Sequence, residues 1–170
     1  MAKTHDADGP GRELKRLGIL VGRWRTEGRV LGDESTPEAP IIGTDTYRWL
    51  GGGYFLIHDV DVVVGAQKVE AIELIGEYDQ ASGAYVARSF DNRGSVVDMS
   101  VRVDDEGVWT FSGGPEVAPA AQSGSNVPTE RVRSTLIIGE GGQTMSALWE
   151  RSPDGNRWLP WMDVRFTRIS

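Results

Sequence analysis

The chain contains no cysteine and only two histidines, His5 and His58. The missing thiols exclude disulfides, thiolate zinc sites, iron–sulfur clusters and a cysteine nucleophile. Two histidines, one of them in a polar N-terminal stretch, leave a metal centre short of ligands, and no metal or other cofactor is expected. No apolar run approaches the roughly 18 residues that a membrane span needs. The start, Met1-Ala2-Lys3-Thr4-His5-Asp6, lacks the apolar core of a secretion signal, so a cytoplasmic protein without a membrane partner is expected. Basic residues are few and scattered: 18 Lys and Arg stand against 25 Asp and Glu, a net charge of −7. Such a surface has no footprint for a phosphate backbone, which argues against a nucleic-acid partner. Gly51-Gly52-Gly53 has no following Gly-Lys-Ser/Thr and opens no helix, and no Gly-x-Ser-x-Gly elbow occurs, so phosphate cradles and serine hydrolases are also unsupported.

What the chain does have is glycine and strand-forming residues. A length of 170 residues suits one domain. The polar residues 1–11 read as a disordered tail, and 12–170 as a single domain. Leu14, Leu17 and Val21 have helical spacing and predict one short N-terminal helix with a single apolar stripe. Everything after it reads as strand, in ten runs: 23–31, 41–50, 54–64, 67–78, 84–90, 95–103, 107–112, 130–138, 143–151 and 157–168. Between them lie turn clusters such as Asp91-Asn92-Arg93-Gly94 and Pro153-Asp154-Gly155-Asn156, which account for many of the 22 glycines. Short connections make consecutive strands antiparallel neighbours, and ten of them leave two open edges unless the sheet closes. The predicted fold is therefore all-β: an antiparallel up-and-down barrel of about ten strands, with the helix capping one end. Residues 113–129, rich in Gly, Pro, Ala and Ser, have neither period and read as a long loop, either a lid or a surface insertion.

Gly22-Arg23-Trp24 on the first strand, with Arg165 and Arg168 on the last, resembles the signature of calycin barrels, in which a basic side chain lies across a tryptophan at the barrel base. Longer stretches are more specific: Gly43-Thr44-Asp45-Thr46-Tyr47-Arg48-Trp49-Leu50-Gly51-Gly52, Ile75-Gly76-Glu77-Tyr78-Asp79, Phe90-Asp91-Asn92-Arg93-Gly94, and the run from Trp149 to Trp158. In this order and spacing they resemble the bacterial domain-of-unknown-function family 1579, from Leu17 to Arg168. The resemblance implies a calycin-type, lipocalin-like barrel, distantly similar to nitrobindins and fatty-acid-binding barrels, and by analogy a small-molecule cavity. Nitrobindins hold haem iron through a His near the chain end. The matching stretch here, Leu159 to Phe166, has none, and Met162 on that strand reads as packing.

Alternation sorts each strand into two faces. Tyr54, Leu56, His58, Val60, Val62 and Val64 form the more apolar face of the third strand, which places His58 inside the barrel. Asp59 and Asp61, roughly 7 Å apart along a strand, then face solvent. Tyr47 pairs with Trp49 on one face of the second strand, Val86 with Arg88 and Phe90 on the fifth, and Met145 with Ala147, Trp149 and Arg151 on the ninth. An inward Arg needs a partner, either an acidic ligand or an inward carboxylate such as Glu70. The expected ligand-binding residues are Trp49, His58, Arg88, Trp149 and Trp161.

The function expected from these features is the binding of a small, mostly apolar or amphipathic molecule in the barrel interior. Two alternatives stand beside it. One is a cavity enzyme of isomerase or cyclase type with His58 as acid/base, the only catalytic candidate. The other is a non-catalytic structural protein acting as a homodimer.

Overall fold

The computed structural model describes residues 9–114 and 130–170. Most of the expected tail (1–8) and of the expected long loop (115–129) lies outside the described residues. The chain enters through a short helix, α1 (Arg12–Arg16), which tightens into a 3-10 turn over Leu17–Leu20. The expected helix is thus shorter than its spacing suggests. Tightening at Gly18 rotates Leu17 and Leu20, both fully buried, onto the barrel end, while Val21 stays half-buried.

Ten strands follow: β1 (Gly22–Val30), β2 (Ala39–Trp49), β3 (Phe55–Val64), β4 (Gln67–Asp79), β5 (Ala84–Asp91), β6 (Val96–Val103), β7 (Trp109–Gly113), β8 (Arg131–Ile138), β9 (Thr144–Ser152) and β10 (Leu159–Arg168). Each pairs antiparallel with its sequence neighbour, and β1 pairs with β10 to close the barrel. Closure leaves no unpaired edge among these strands. Among the described residues no helix is long and apolar enough to cross a membrane.

The barrel interior divides into two halves. At the helix end, Leu17, Leu20, Trp24, Leu56, Ile75, Tyr85 and Val101 are essentially inaccessible to solvent and fill the space. The Tyr85 hydroxyl donates to the Glu13 carbonyl at 2.6 Å, tying α1 to that end. Trp24 anchors the seam: its indole N–H donates to the Leu20 carbonyl at 2.9 Å. The Arg168 guanidinium lies over the Trp24 ring, 4.1 Å from its centroid, and donates to the carbonyls of Gly142, Ile19 and Val21. Arg165, between the inward-facing Val164 and Phe166, points outward and is exposed, so one arginine and not two covers this tryptophan. Gly22 makes room for it. Its φ of +142° and the Ser170 carbonyl oxygen, 2.7 Å from where a Cβ would stand, disfavour any side chain there.

The other half of the barrel is not filled. Glycines at inward positions contribute to that: Gly28, where β1 lies tight against β10, and Gly43, where β2 lies tight against β3.

Candidate functional site

The unfilled half is a cavity of about 270 Å³, near the lower end of the range of roughly 300–1,000 Å³ usual for ligand pockets. Its walls are Ile41, Val60, Val62, Val64, Val69, Ala71, Met99, Phe111, Leu136, Ala147, Trp149, Met162, Val164 and Phe166. Against this apolar lining stands one charged cluster, built across β2, β3 and β4.

Strand register assembles the cluster. His58 sits directly opposite Tyr47 on β2 and opposite Glu73 on β4, so three inward side chains lie in one row across the sheet. Asp45, two residues before Tyr47, shares its face and reaches the ring diagonally. His58 Nε2 is 2.6 Å from Asp45 Oδ1, and Nδ1 is 3.3 Å from Glu73 Oε1. Tyr47 stacks flat on the imidazole, with centroids 3.9 Å apart and planes within 8°. The Thr26 hydroxyl donates to the second Asp45 oxygen. The side chains of His58, Asp45 and Glu73 are 14%, 5% and 7% exposed, so the cluster is nearly removed from water.

Burial alone pulls the imidazole toward neutrality. The hydrogen bonds to Asp45 and Glu73, together with their negative charges, outweigh it and hold His58 up at about 9. At neutral pH the ring is an imidazolium donating from both nitrogens. Burial and the same two charges push the Tyr47 phenol well above its ordinary value, so it stays neutral. Both Asp45 oxygens are engaged, one by His58 and one by Thr26. Glu73 uses only Oε1; its Oε2 has no hydrogen-bond partner among the described residues and is open to the cavity. Among the described residues no group of three or more ligating side chains is arranged to hold a metal ion.

Of the expected binding residues, the structure brings His58 and Trp149 together on the cavity wall. Trp49 packs at the helix end instead, near Gly18, because its strand leaves the cavity after Tyr47. Trp161 sits at a bulge in β10 between Pro160 and Met162, where the register slips; Met162 enters the cavity and Trp161 packs against the core beside it. Arg88 is outside the barrel, 57% exposed and paired with Asp98 at 3.0 Å. Arg151 is at the end of β9, paired with Asp33. Glu70 lies on the outer face opposite Asp61. Asp59 and Asp61 do face outward, paired with Arg48 and Lys68.

Asp45, Glu73 and Thr26 are the members that strand-by-strand alternation does not find. A signal for Glu73 exists in the sequence. A two-residue turn at Gly65-Ala66 pairs Val64 with Gln67 and, counting back along both strands, His58 with Glu73.

No curated protein matches the chain. Among solved structures, the crystal structure of Rv2717c from M. tuberculosis superposes with a TM-score of 0.65 at 12% identity, covering 94% of this chain and 99% of that one. At that identity the likeness shows a shared fold alone. Residues 9–103, which carry Asp45, His58 and Glu73, match the family model described as protein of unknown function (DUF1579), and the chain belongs to that family.

Proposed function

We propose that the protein is a calycin-like binding module that takes a small, mostly apolar molecule into the free half of its barrel. The observation carrying this reading is the cavity itself: about 270 Å³ walled by aliphatic and aromatic side chains, with its charge concentrated in one cluster. Packed interiors rarely leave voids larger than a water molecule, and an apolar void of this size gains free energy by taking up an apolar guest. Trp149 and Phe166 serve as walls and the Asp45–His58–Glu73 cluster as the polar anchor. The cysteine-free chain fits a cytoplasmic setting.

Acid/base catalysis by His58 fits the geometry less well. Both ring nitrogens are engaged by carboxylates, so the ring presents neither a lone pair nor a free N–H to a substrate.

Titration of the labelled protein with octan-1-ol, followed by amide NMR, tests the binding reading. The expected result is saturable 1:1 binding with shifts at Val62, Ala147, Trp149 and Phe166. Filling the cavity by Ala147→Phe, or separately by Val62→Phe, weakens that binding at least tenfold. Absence of saturable binding, or binding untouched by both filled variants, overturns the reading.

A further inference from the structure

We propose that the molecule held in the cavity is a cation, an amphipathic amine whose ammonium group sits against Glu73. This inference rests on the binding reading above and adds the charge of the ligand. Among the described residues, the titratable side chains lining the cavity are Asp45, Tyr47, His58 and Glu73, and no lysine or arginine joins them. Two carboxylates against one imidazolium leave one negative charge without a counter-charge in an otherwise apolar volume. The location of that charge is specific. Asp45 has both oxygens bonded, whereas Glu73, its side chain more than nine-tenths buried, lines the cavity with an Oε2 that has no partner among the described residues. A buried carboxylate oxygen facing a void is an acceptor awaiting a donor, and a charged N–H donor satisfies it best.

An acidic head group has the opposite fate. The two arginines that the sequence offers as its partners are elsewhere, Arg88 outside the barrel with Asp98 and Arg151 at the end of β9 with Asp33. A fatty acid in the cavity would bring a further carboxylate toward two already there. The volume sets the size of the guest. A cavity of about 270 Å³ suits a small guest with one short alkyl chain, such as octylammonium.

Three probes sharing one chain length separate charge from apolar fit: octylammonium, octan-1-ol and octanoate, titrated calorimetrically at neutral pH in about 0.2 M salt to screen the acidic surface. Ethylammonium controls for surface attraction. The expected order is octylammonium at least tenfold tighter than octan-1-ol, with octanoate weakest. In Glu73→Gln, the preference for octylammonium over octan-1-ol is lost, the two probes binding within twofold of each other. Octylammonium binding no tighter than octan-1-ol, or unmoved by Glu73→Gln, overturns this inference and leaves the binding reading standing. Binding of none of the three overturns both. Should Glu73→Gln not fold, the order of the three probes on the natural chain decides the question alone.

Discussion

Replacing His58 by glutamine removes the one cation from a buried pair of carboxylates, and the consequence is set by proton linkage. The folded protein holds the His58 proton up to about 9, whereas the unfolded chain releases it near the ordinary 6.5. Between those values unfolding releases a proton, so raising the pH favours the unfolded state. The stabilisation is fully present below about pH 6.5 and is lost as the pH rises through 9. Each tenfold in proton affinity is worth about 1.4 kcal/mol, so the natural protein loses about 3 kcal/mol across this window. Asp91 and Asp154, whose pKa values are lowered by turn hydrogen bonds, titrate far below the window, and Tyr47 and Tyr85, both raised, above it. Urea unfolding of the natural protein and of His58→Gln at about pH 6, 8 and 9.5, followed by tryptophan fluorescence, reads the difference. The natural protein is expected to lose stability steeply over this range while His58→Gln is lower at pH 6 and nearly flat. Parallel profiles for the two proteins would refute the assignment of His58 as a buried imidazolium.

Two further substitutions probe the parts of the barrel that frame the cavity. Arg168→Ala removes three hydrogen bonds to carbonyls and the cover over Trp24, and is expected to cost about 3 kcal/mol by urea titration; the outward Arg165→Ala stays within about 0.5 kcal/mol. Equal effects would mean that the stacked guanidinium contributes nothing special. Gly43→Ala places a Cβ 2.2 Å from the Asp61 carbonyl and 2.5 Å from the Val62 Cα, both backbone atoms that cannot swing away. It is expected to lower the thermal midpoint through a loss of about 2 kcal/mol, and an unchanged midpoint would show that β2 and β3 tolerate more separation than this register implies.

The barrel is largely legible in the sequence because its signals are local. Alternating β-branched runs and Gly/Asp/Asn turns place all ten strands within about two residues of their positions. The site is less legible because it is a cross-strand object. His58 and Trp149 follow from alternation within one strand, but Asp45 and Glu73 meet His58 only through pairing register, which a face-by-face reading of single strands ignores. Trp161 is lost to a local irregularity: at Pro160, which cannot donate to the ladder, the register of β10 slips, and Met162 rather than Trp161 enters the cavity. Arg88 is misplaced for a subtler reason. Its face on β5 also carries Val86 and Phe90, apolar residues that are nonetheless 47% and 43% exposed, so hydrophobicity alone chose the wrong side.

The seam between β1 and β10 has a consequence for how the molecule is made. Trp24 pairs with Arg168, 144 positions along the chain from 24 to 168, whereas the strands that carry Asp45, His58 and Glu73 form one continuous meander over β2, β3 and β4. Local hairpins form early and long-range pairings late, so the three acidic and basic groups can meet on a nascent sheet still bathed in water. Their dehydration waits until β10 zips onto β1. Assembly and desolvation of the anchor are therefore separate kinetic events, the first directed by turns and the second by closure of the ring.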